Sequence, residues 1–168
     1  MISEPKIDYR EEKLYMGIRT IAPFKGMFAE VDKLIKELRV WVKQHGIAYE
    51  GPFFLRYFVI DMNGPMDVEV GFVVSRHLPG DERVKPGVLP SGNYANLTYR
   101  GSGLAGNKAL IGWAKENNVA WDRWDEPSGD AFRCRYEMYT EAEGLRPRKT
   151  RGVDLAIKVA DEQANKHS

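Results

Sequence analysis

An acid and a phenol share one face of a predicted strand near the end of the chain. Along the strand that begins at Phe132, alternation of side chains separates Glu137 and Tyr139 from Phe132. A carboxylate shielded from water can anchor a cation or act as a general base. A phenol two residues further along can donate a hydrogen bond to a developing negative charge. Glu137 and Tyr139 are therefore the candidate catalytic residues if the protein is an enzyme.

Aromatic side chains from other predicted strands gather on the same face. Aromatic walls with a few carboxylates suit a flat, lipophilic and often cationic ligand, because rings supply contact area and cation–π attraction while an acid supplies the counter-charge. Two tryptophans in the loop after the second predicted helix could fold over this face as a lid. The predicted ligand-binding residues are Tyr15, Phe58, Glu69, Tyr94, Trp121, Trp124, Glu137 and Tyr139.

These residues also have plainer interpretations. Glu137 follows Arg135 closely in the chain, so a solvent-facing ladder of ion pairs also explains its position. Glu69 can be an ordinary solvated acid on an exposed strand face. Trp121 can close the end of the second helix against the core, which makes Trp124 the better lid candidate.

Composition and motifs exclude several classes of function. The formal net charge is +1, so electrostatics gives no reason to expect binding to nucleic acid or to an anionic membrane. The three histidines are scattered without metal-ligand spacing, and we predict neither a metal site nor a cofactor. Nucleophile-elbow, zinc-protease and phosphate-loop motifs are absent.

The single cysteine indicates a reducing compartment. Cys134 has no partner for an intramolecular disulfide, and its predicted inward position makes it inert. No run approaches the roughly 18 apolar residues of a membrane span, and the N-terminal residues lack the apolar stretch of a signal peptide. The sequence therefore predicts a cytoplasmic protein without membrane contact.

Periodicity predicts strands and helices in a repeated order. One apolar stripe at helical spacing contains Met27, Val31, Leu34, Leu38 and Trp41. The second predicted helix covers residues 104–117. Alternating segments predict strands over residues 13–19, 53–60, 66–75, 93–99, 132–139 and 152–159.

An internal repeat supports this organisation. Leu38-x-x-Trp41 is echoed by Leu110-x-x-Trp113, and Phe58 takes the position of Glu137 in the other copy. The predicted fold is α+β: tandem duplicated β-α-β-β units form one antiparallel sheet of about six strands, with two helices on one face and a ligand groove on the other. We predict one domain over residues 1–168, made of a first repeat (5–75), a linker (76–92), a second repeat (93–160) and a tail (161–168).

Several short segments, in order, resemble the GyrI-like small-molecule-binding domains. These domains also form the effector-binding part of some AraC- and MerR-type multidrug regulators. The resemblance covers roughly residues 5–160. The matching segments are Leu38-x-x-Trp41, Val68-Glu69-Val70-Gly71, Leu89-Pro90-Ser91-Gly92-Asn93-Tyr94-Ala95, Leu110-x-x-Trp113 and Arg135-Tyr136-Glu137-Met138-Tyr139.

The resemblance implies binding of amphipathic aromatic or cationic small molecules, with the Glu of a Tyr-Glu-x-Tyr strand in the groove. Some stand-alone members hydrolyse cyclopropane-bearing cytotoxins, and others are described as gyrase modulators. Three hypotheses follow: a stand-alone xenobiotic-binding protein anchored by Glu137, a hydrolase in which Glu137 activates water, and a module that binds a protein partner. The chain begins at the first predicted strand without a helix-turn-helix, so we expect no direct DNA binding.

Overall fold

The structure is a computed structural model that describes residues 1–48, 51–140 and 151–161. Ten strands and two helices make an α+β fold with an antiparallel sheet. The elements are β1 (Lys6–Arg10), β2 (Lys13–Pro23), α1 (Met27–Gln44), β3 (Phe53–Ile60), β4 (Pro65–Val74), β5 (Lys85–Leu89), β6 (Gly92–Tyr99), α2 (Gly103–Glu116), β7 (Arg123–Glu126), β8 (Gly129–Phe132), β9 (Arg135–Tyr139) and β10 (Val153–Lys158). Except for Asp161, the predicted tail lies outside the described residues.

The two helices form as the apolar spacing predicts. Helix α1 buries six residues, which include the whole predicted stripe from Met27 to Trp41. Helix α2 buries only three, Gly106, Leu110 and Ala114. Its N-terminus is capped by Ser102, whose hydroxyl accepts a hydrogen bond from the backbone N–H of Ala105. Helix α1 is therefore held to the core by much more apolar surface than α2.

The strands run in the order β1-β6-β10-β9-β3-β4-β2-β5, and the β7–β8 hairpin joins the sheet through β3. The sheet curls. Arg56 on β3 donates a hydrogen bond to the carbonyl of Val88 on β5, although β4 and β2 lie between these strands. Tyr94 on β6 reaches the carbonyl of Pro90, just after β5, at 2.6 Å. The two ends of the sheet thus approach each other across one face.

Each face of the sheet carries its own apolar core. Both helices pack on the helix-side core, which includes Met16, Leu38, Leu55, Leu110 and Leu155. The opposite face is filled by a second-face core, whose buried members are Tyr15, Phe54, Leu89, Tyr94, Cys134, Tyr136, Met138 and Ala156.

Glycine makes room for the large rings of the second-face core. A Cβ atom at Gly87 would lie 2.4 Å from the ring of Tyr15. A Cβ atom at Gly71 would lie 2.7 Å from the ring of Phe54. The close approach of backbone and rings lets the curled sheet close on itself.

Four expectations about the fold need correction. The sheet has ten strands rather than about six, because short edge strands escape detection. The predicted linker contains β5, which pairs with β2. The predicted loop after α2 is the β7–β8 hairpin. The face opposite the helices holds a packed core instead of the predicted ligand groove. The duplication stays an interpretation of the sequence.

Two general features bear on function. None of the described helices is long and apolar enough to cross a membrane. Within the described ranges, no group of three or more histidine, cysteine or acidic side chains is arranged to hold a metal ion.

Candidate functional site

Glu137 lies on the helix-bearing face of the sheet. In the antiparallel ladders around β9, it stands directly opposite Leu55 of β3 and Leu155 of β10. Residues directly opposite in such ladders share a face, and both leucines belong to the helix-side core. Only 5% of Glu137 is exposed. An acid in the middle of an apolar core requires a physical explanation, because burial of an ionised carboxylate is costly.

Two phenols donate hydrogen bonds to the Glu137 carboxylate. Tyr57 of β3 donates to Oε2 at 3.1 Å, and Tyr99 at the end of β6 donates to Oε1 at 3.4 Å. Burial raises the pKa of Glu137, and this effect outweighs the opposing effects of the Tyr57 hydrogen bond, the Arg135 charge and a hydrogen bond from the Asn107 side chain. The folded protein therefore binds the proton of Glu137 more tightly than the unfolded chain does.

Helix α2 is connected to this acid through a polar bridge. Asn107 accepts a hydrogen bond at its Oδ1 from the Arg135 guanidinium at 2.8 Å, and its amide donates to the carbonyl of Gly103. Arg135 packs its guanidinium 4.8 Å from the centre of the Phe132 ring. Asn107 of α2 and Arg135 of β9 are thus hydrogen-bonded to each other beside Glu137.

Tyr139 shares the face of Glu137, as predicted. It is buried and belongs to the helix-side core. The guanidinium of Arg151 lies 4.9 Å from the centre of its ring. Glu137 and Tyr139 therefore stay together, although on the face opposite to the one expected.

Tyr15 and Glu69 form a separate polar cluster on the second face. The Tyr15 hydroxyl donates to Glu69 Oε1 at 2.5 Å and accepts a hydrogen bond from Arg56 at 3.0 Å. Burial raises the pKa of both Tyr15 and Glu69. Arg56 also donates to the backbone carbonyls of Val88 and Arg133. The cluster therefore links β3 to β2, to β5 and to the segment between β8 and β9.

Phe58 and Tyr94 also lie on the second face. The Phe58 ring is sandwiched between two guanidinium groups, that of Arg19 at 3.7 Å and that of Arg56 at 4.4 Å. Tyr94 is a buried member of the second-face core. The sheet separates both residues from Glu137.

The two predicted lid tryptophans occupy different environments. Trp121 is half-buried, forms an isolated β-bridge with Val159 and packs against the helix-side core. Trp124 is 40% exposed on β7, and its indole N–H donates to Glu126 of the same hairpin. Arg133 covers its ring at 4.9 Å. Trp121 thus packs against the core, which is the alternative to a lid given above. Trp124 is held to its own hairpin by the hydrogen bond to Glu126.

A cavity of about 490 Å³ lies near the start of β2 and contains none of the predicted site residues. Its lining combines apolar side chains with charged residues of the surface. The lining residues are Glu12, Lys13, Leu14, Gly51, Pro52, Val73, Val74, Ser75 and Met138.

Residues 3–137 match the family described as the GyrI-like small molecule binding domain. The chain belongs to this family. Comparison with curated proteins finds no match. Among solved structures, EcmrR in its complex with DNA superposes with a TM-score of 0.69 at 16% identity, over 93% of this chain and 57% of EcmrR. This GyrI-like chain therefore spans a little over half the length of that regulator.

Two further structures show the same fold. A hydrolase from Listeria innocua superposes with a TM-score of 0.62 at 11% identity, over 94% of this chain and 92% of the hydrolase. SAV2435 bound to tetraphenylphosphonium superposes with a TM-score of 0.58 at 9% identity, over 98% of this chain and 99% of SAV2435. A regulator, a hydrolase and a ligand-bound protein thus share the GyrI-like fold.

Four polar neighbours of Glu137 are not among the predicted ligand-binding residues. They are Tyr57, Tyr99, Asn107 and Arg135. The sequence signal for Tyr57 and Tyr99 is their spacing: each follows by two residues an apolar residue of the helix-side core, Leu55 or Leu97. The same face of the sheet therefore carries all four side chains. Nothing in the pattern connected Asn107 to the sheet.

Proposed function

We propose that this GyrI-like domain binds amphipathic aromatic cations on its helix-bearing face, with Glu137 as the anionic anchor. The supporting observation is the buried Glu137 carboxylate, which accepts hydrogen bonds from the hydroxyls of Tyr57 and Tyr99. Within the described residues, no lysine or arginine forms an ion pair with it. A lipophilic cation would form such an ion pair with Glu137, and the phenol rings would supply aromatic surface.

Burial of Glu137 means that a ligand must displace part of its cover. The polar bridge from Asn107 and the small buried surface of α2 make that helix the weaker side of the enclosure. Helix α1 is held by twice as many buried residues. We therefore propose that a ligand enters on the α2 side. The binding energy has to offset the cost of moving the helix, so affinity depends on ligand hydrophobicity.

Similarity to known proteins supports this proposal at the level of the fold. SAV2435, which shares the fold, is seen with tetraphenylphosphonium, a lipophilic aromatic cation. The Tyr-Glu-x-Tyr segment of the family is present here as Tyr136-Glu137-Met138-Tyr139. Both observations favour a cation as the ligand class.

Isothermal titration calorimetry with tetraphenylphosphonium tests the proposal. We expect saturable one-to-one binding by the wild type and a roughly tenfold to hundredfold weaker affinity in Glu137→Gln, because a charge-assisted interaction is lost. Glu69→Gln is the matched control: it removes a second buried carboxylate from the opposite face and should leave the affinity within about threefold. Equal loss in both variants, or no binding by the wild type, would contradict the proposal.

A second candidate function is hydrolysis at the same acid. The raised pKa of Glu137 favours it, because a carboxyl group that titrates closer to neutrality is a better general base. Glu137 would take a proton from water, and Tyr139 would donate to the developing negative charge on the leaving atom. Turnover of a cyclopropane-bearing alkylating agent, abolished in Glu137→Gln with binding of the agent retained, would support catalysis. Stoichiometric capture without product would leave only binding.

A further inference from the structure

Arg135 places a positive charge beside the anchor of the proposed site. It precedes Glu137 by two residues on β9, so their Cα atoms lie about 7 Å apart on one face of the sheet. The guanidinium donates to Asn107 of α2 instead of forming an ion pair with Glu137. Its charge nevertheless acts on the acid, since it opposes the rise in the pKa of Glu137.

One donor of Arg135 is left without a partner. In the part of the chain that the structure describes, the buried Nε–H group of Arg135 forms no hydrogen bond. Burial also lowers the pKa of Arg135, an effect that nearby Tyr57 and Glu137 oppose. A buried guanidinium with an unused donor is costly by itself, and an acceptor at that position would complete it.

A purely cationic ligand does not suit both charges. Its cation would be attracted to Glu137 and repelled by Arg135, and repulsion is strong in a site from which water is excluded. A ligand that carries an acceptor at a distance from its cation would satisfy both residues. The planar guanidinium matches a carboxylate especially well, because it can donate two parallel hydrogen bonds.

We infer that the site favours amphoteric aromatic ligands, in which a cationic group binds at Glu137 and a carboxylate or similar acceptor binds at Arg135. The inference rests on the proposed function, since it names the ligand class of the same site. Arg135 is then the residue that discriminates among aromatic cations. Phe132, which packs against the guanidinium, keeps it in position for this contact.

Two xanthene dyes that differ in a single group provide the test. Rhodamine 110 carries a free carboxylate, and rhodamine 123 is its methyl ester; both carry the same cationic aromatic ring system. Fluorescence anisotropy with the intact chain gives both affinities. We expect the wild type to bind rhodamine 110 about tenfold more tightly than rhodamine 123. In Arg135→Met this ratio of affinities should fall to about one. The variant should bind rhodamine 110 more weakly, because its carboxylate loses the guanidinium, and rhodamine 123 more tightly, because the repulsive charge is gone.

Arg135→Lys keeps the charge and loses the planar guanidinium, so an intermediate ratio of about threefold is expected. Arg135→Lys also replaces Arg135→Met as the test variant if the latter does not fold. The ratio of the two dye affinities in the wild type is a test that needs no variant. Equal affinities in the wild type, or a ratio that Arg135→Met leaves unchanged, would overturn the inference.

Glu137→Gln separates this inference from the proposed function. It should weaken both dyes and leave their ratio nearly unchanged, because both carry the cation. If both dyes bind equally and depend on Glu137, the proposed function stands and the role of Arg135 is wrong. If neither dye binds saturably, the proposed function fails and the inference fails with it.

Discussion

Glu137 stands directly opposite Leu55 in the ladder between β9 and β3, so a carboxylate and a core leucine share one face of the sheet. The next residue of β3, Arg56, points to the other face and stands opposite Glu69 of β4. Two buried acids are thus separated by the thickness of one sheet. Both acids accept hydrogen bonds from phenols, Glu69 from Tyr15 and Glu137 from Tyr57 and Tyr99. Each acid also has an arginine nearby, Arg56 for Glu69 and Arg135 for Glu137. They differ in position, because Glu137 lies under the helices and Glu69 lies on the second face.

Stability should depend on pH through Glu137. Its pKa is raised in the folded state, so the native protein retains a proton that the unfolded chain loses above its ordinary pKa near 4.5. The contribution is fully present below that value and is lost as the pH rises through the folded pKa. Glu137→Gln should therefore match the wild type at pH 4 and be more stable at pH 8, by about 1.4 kcal/mol for each unit of the pKa shift.

Urea unfolding at a series of pH values measures this difference. Glu69→Gln gives a comparison, since the pKa of Glu69 is also raised, but in that variant the Tyr15 hydroxyl loses its charged hydrogen-bond acceptor. A Glu137→Gln variant that is less stable than the wild type at every pH would show that the ionised carboxylate is stabilising.

The sequence predicts the helices and the strand faces of the first half well, because the period of an uninterrupted element is reliable. Met16 and Leu55 lie on the helix side, and Tyr15 and Phe54 lie on the other, as alternation requires. The prediction for the last strands was wrong at one point. A two-residue break at 133–134 separates β8 from β9, so alternation counted from Phe132 assigns every later side chain to the wrong face.

Strand β5 was missed for another reason. Strand β5 contains Pro86 and Gly87, residues that are rare within central strands. It lies at the end of the strand order, where a missing backbone donor is tolerated, and its pairing with β2 is a long-range contact that local patterns do not show.

The break at residues 133–134 also explains why Phe58 and Glu137, equivalent in the sequence repeat, lie on opposite faces of the sheet.

Gly106 should be needed for the packing of α2 on the sheet. A Cβ atom at this position would lie 2.6 Å from the ring of Tyr99, which donates to Glu137. Gly106→Ala should therefore lower the free energy of unfolding by about 1–3 kcal/mol, even though alanine is the better helix former.

Gly112 provides the control on the same helix. It is exposed, and no atom lies within 4 Å of its would-be Cβ, so Gly112→Ala should raise stability by about 0.5–1 kcal/mol. Chemical denaturation of both variants measures the contrast. Two variants with the same sign of effect would show that the contact with Tyr99 does not limit how closely α2 packs.

Arg56 should stabilise the curled sheet far more than Arg19, although both guanidinium groups contact the Phe58 ring. Arg56 is buried and joins β3 to Tyr15, Val88 and Arg133. Arg56→Met removes the guanidinium that stands opposite the buried Glu69 in the ladder between β3 and β4, and it should lower the free energy of unfolding by about 3–5 kcal/mol. Arg19 forms an exposed ion pair with Asp67, and Arg19→Met should cost less than about 1 kcal/mol. Thermal and urea unfolding measure both losses. If Arg56→Met and Arg19→Met lose the same amount of stability, the role of Arg56 as a link across the second face is contradicted.

Cys134 provides a chemical probe of which face opens when a ligand binds. The thiol is fully buried in the second-face core, and burial raises its pKa, so native protein should react with a thiol reagent such as Ellman's reagent only as fast as it opens there. If a ligand enters between α2 and the helix-bearing face, saturating tetraphenylphosphonium should not accelerate the reaction. Arg56→Met, which weakens the second face, should accelerate it by about tenfold or more. Faster labelling in the presence of ligand would instead place the opening on the second face, where Tyr15, Glu69 and Tyr94 lie.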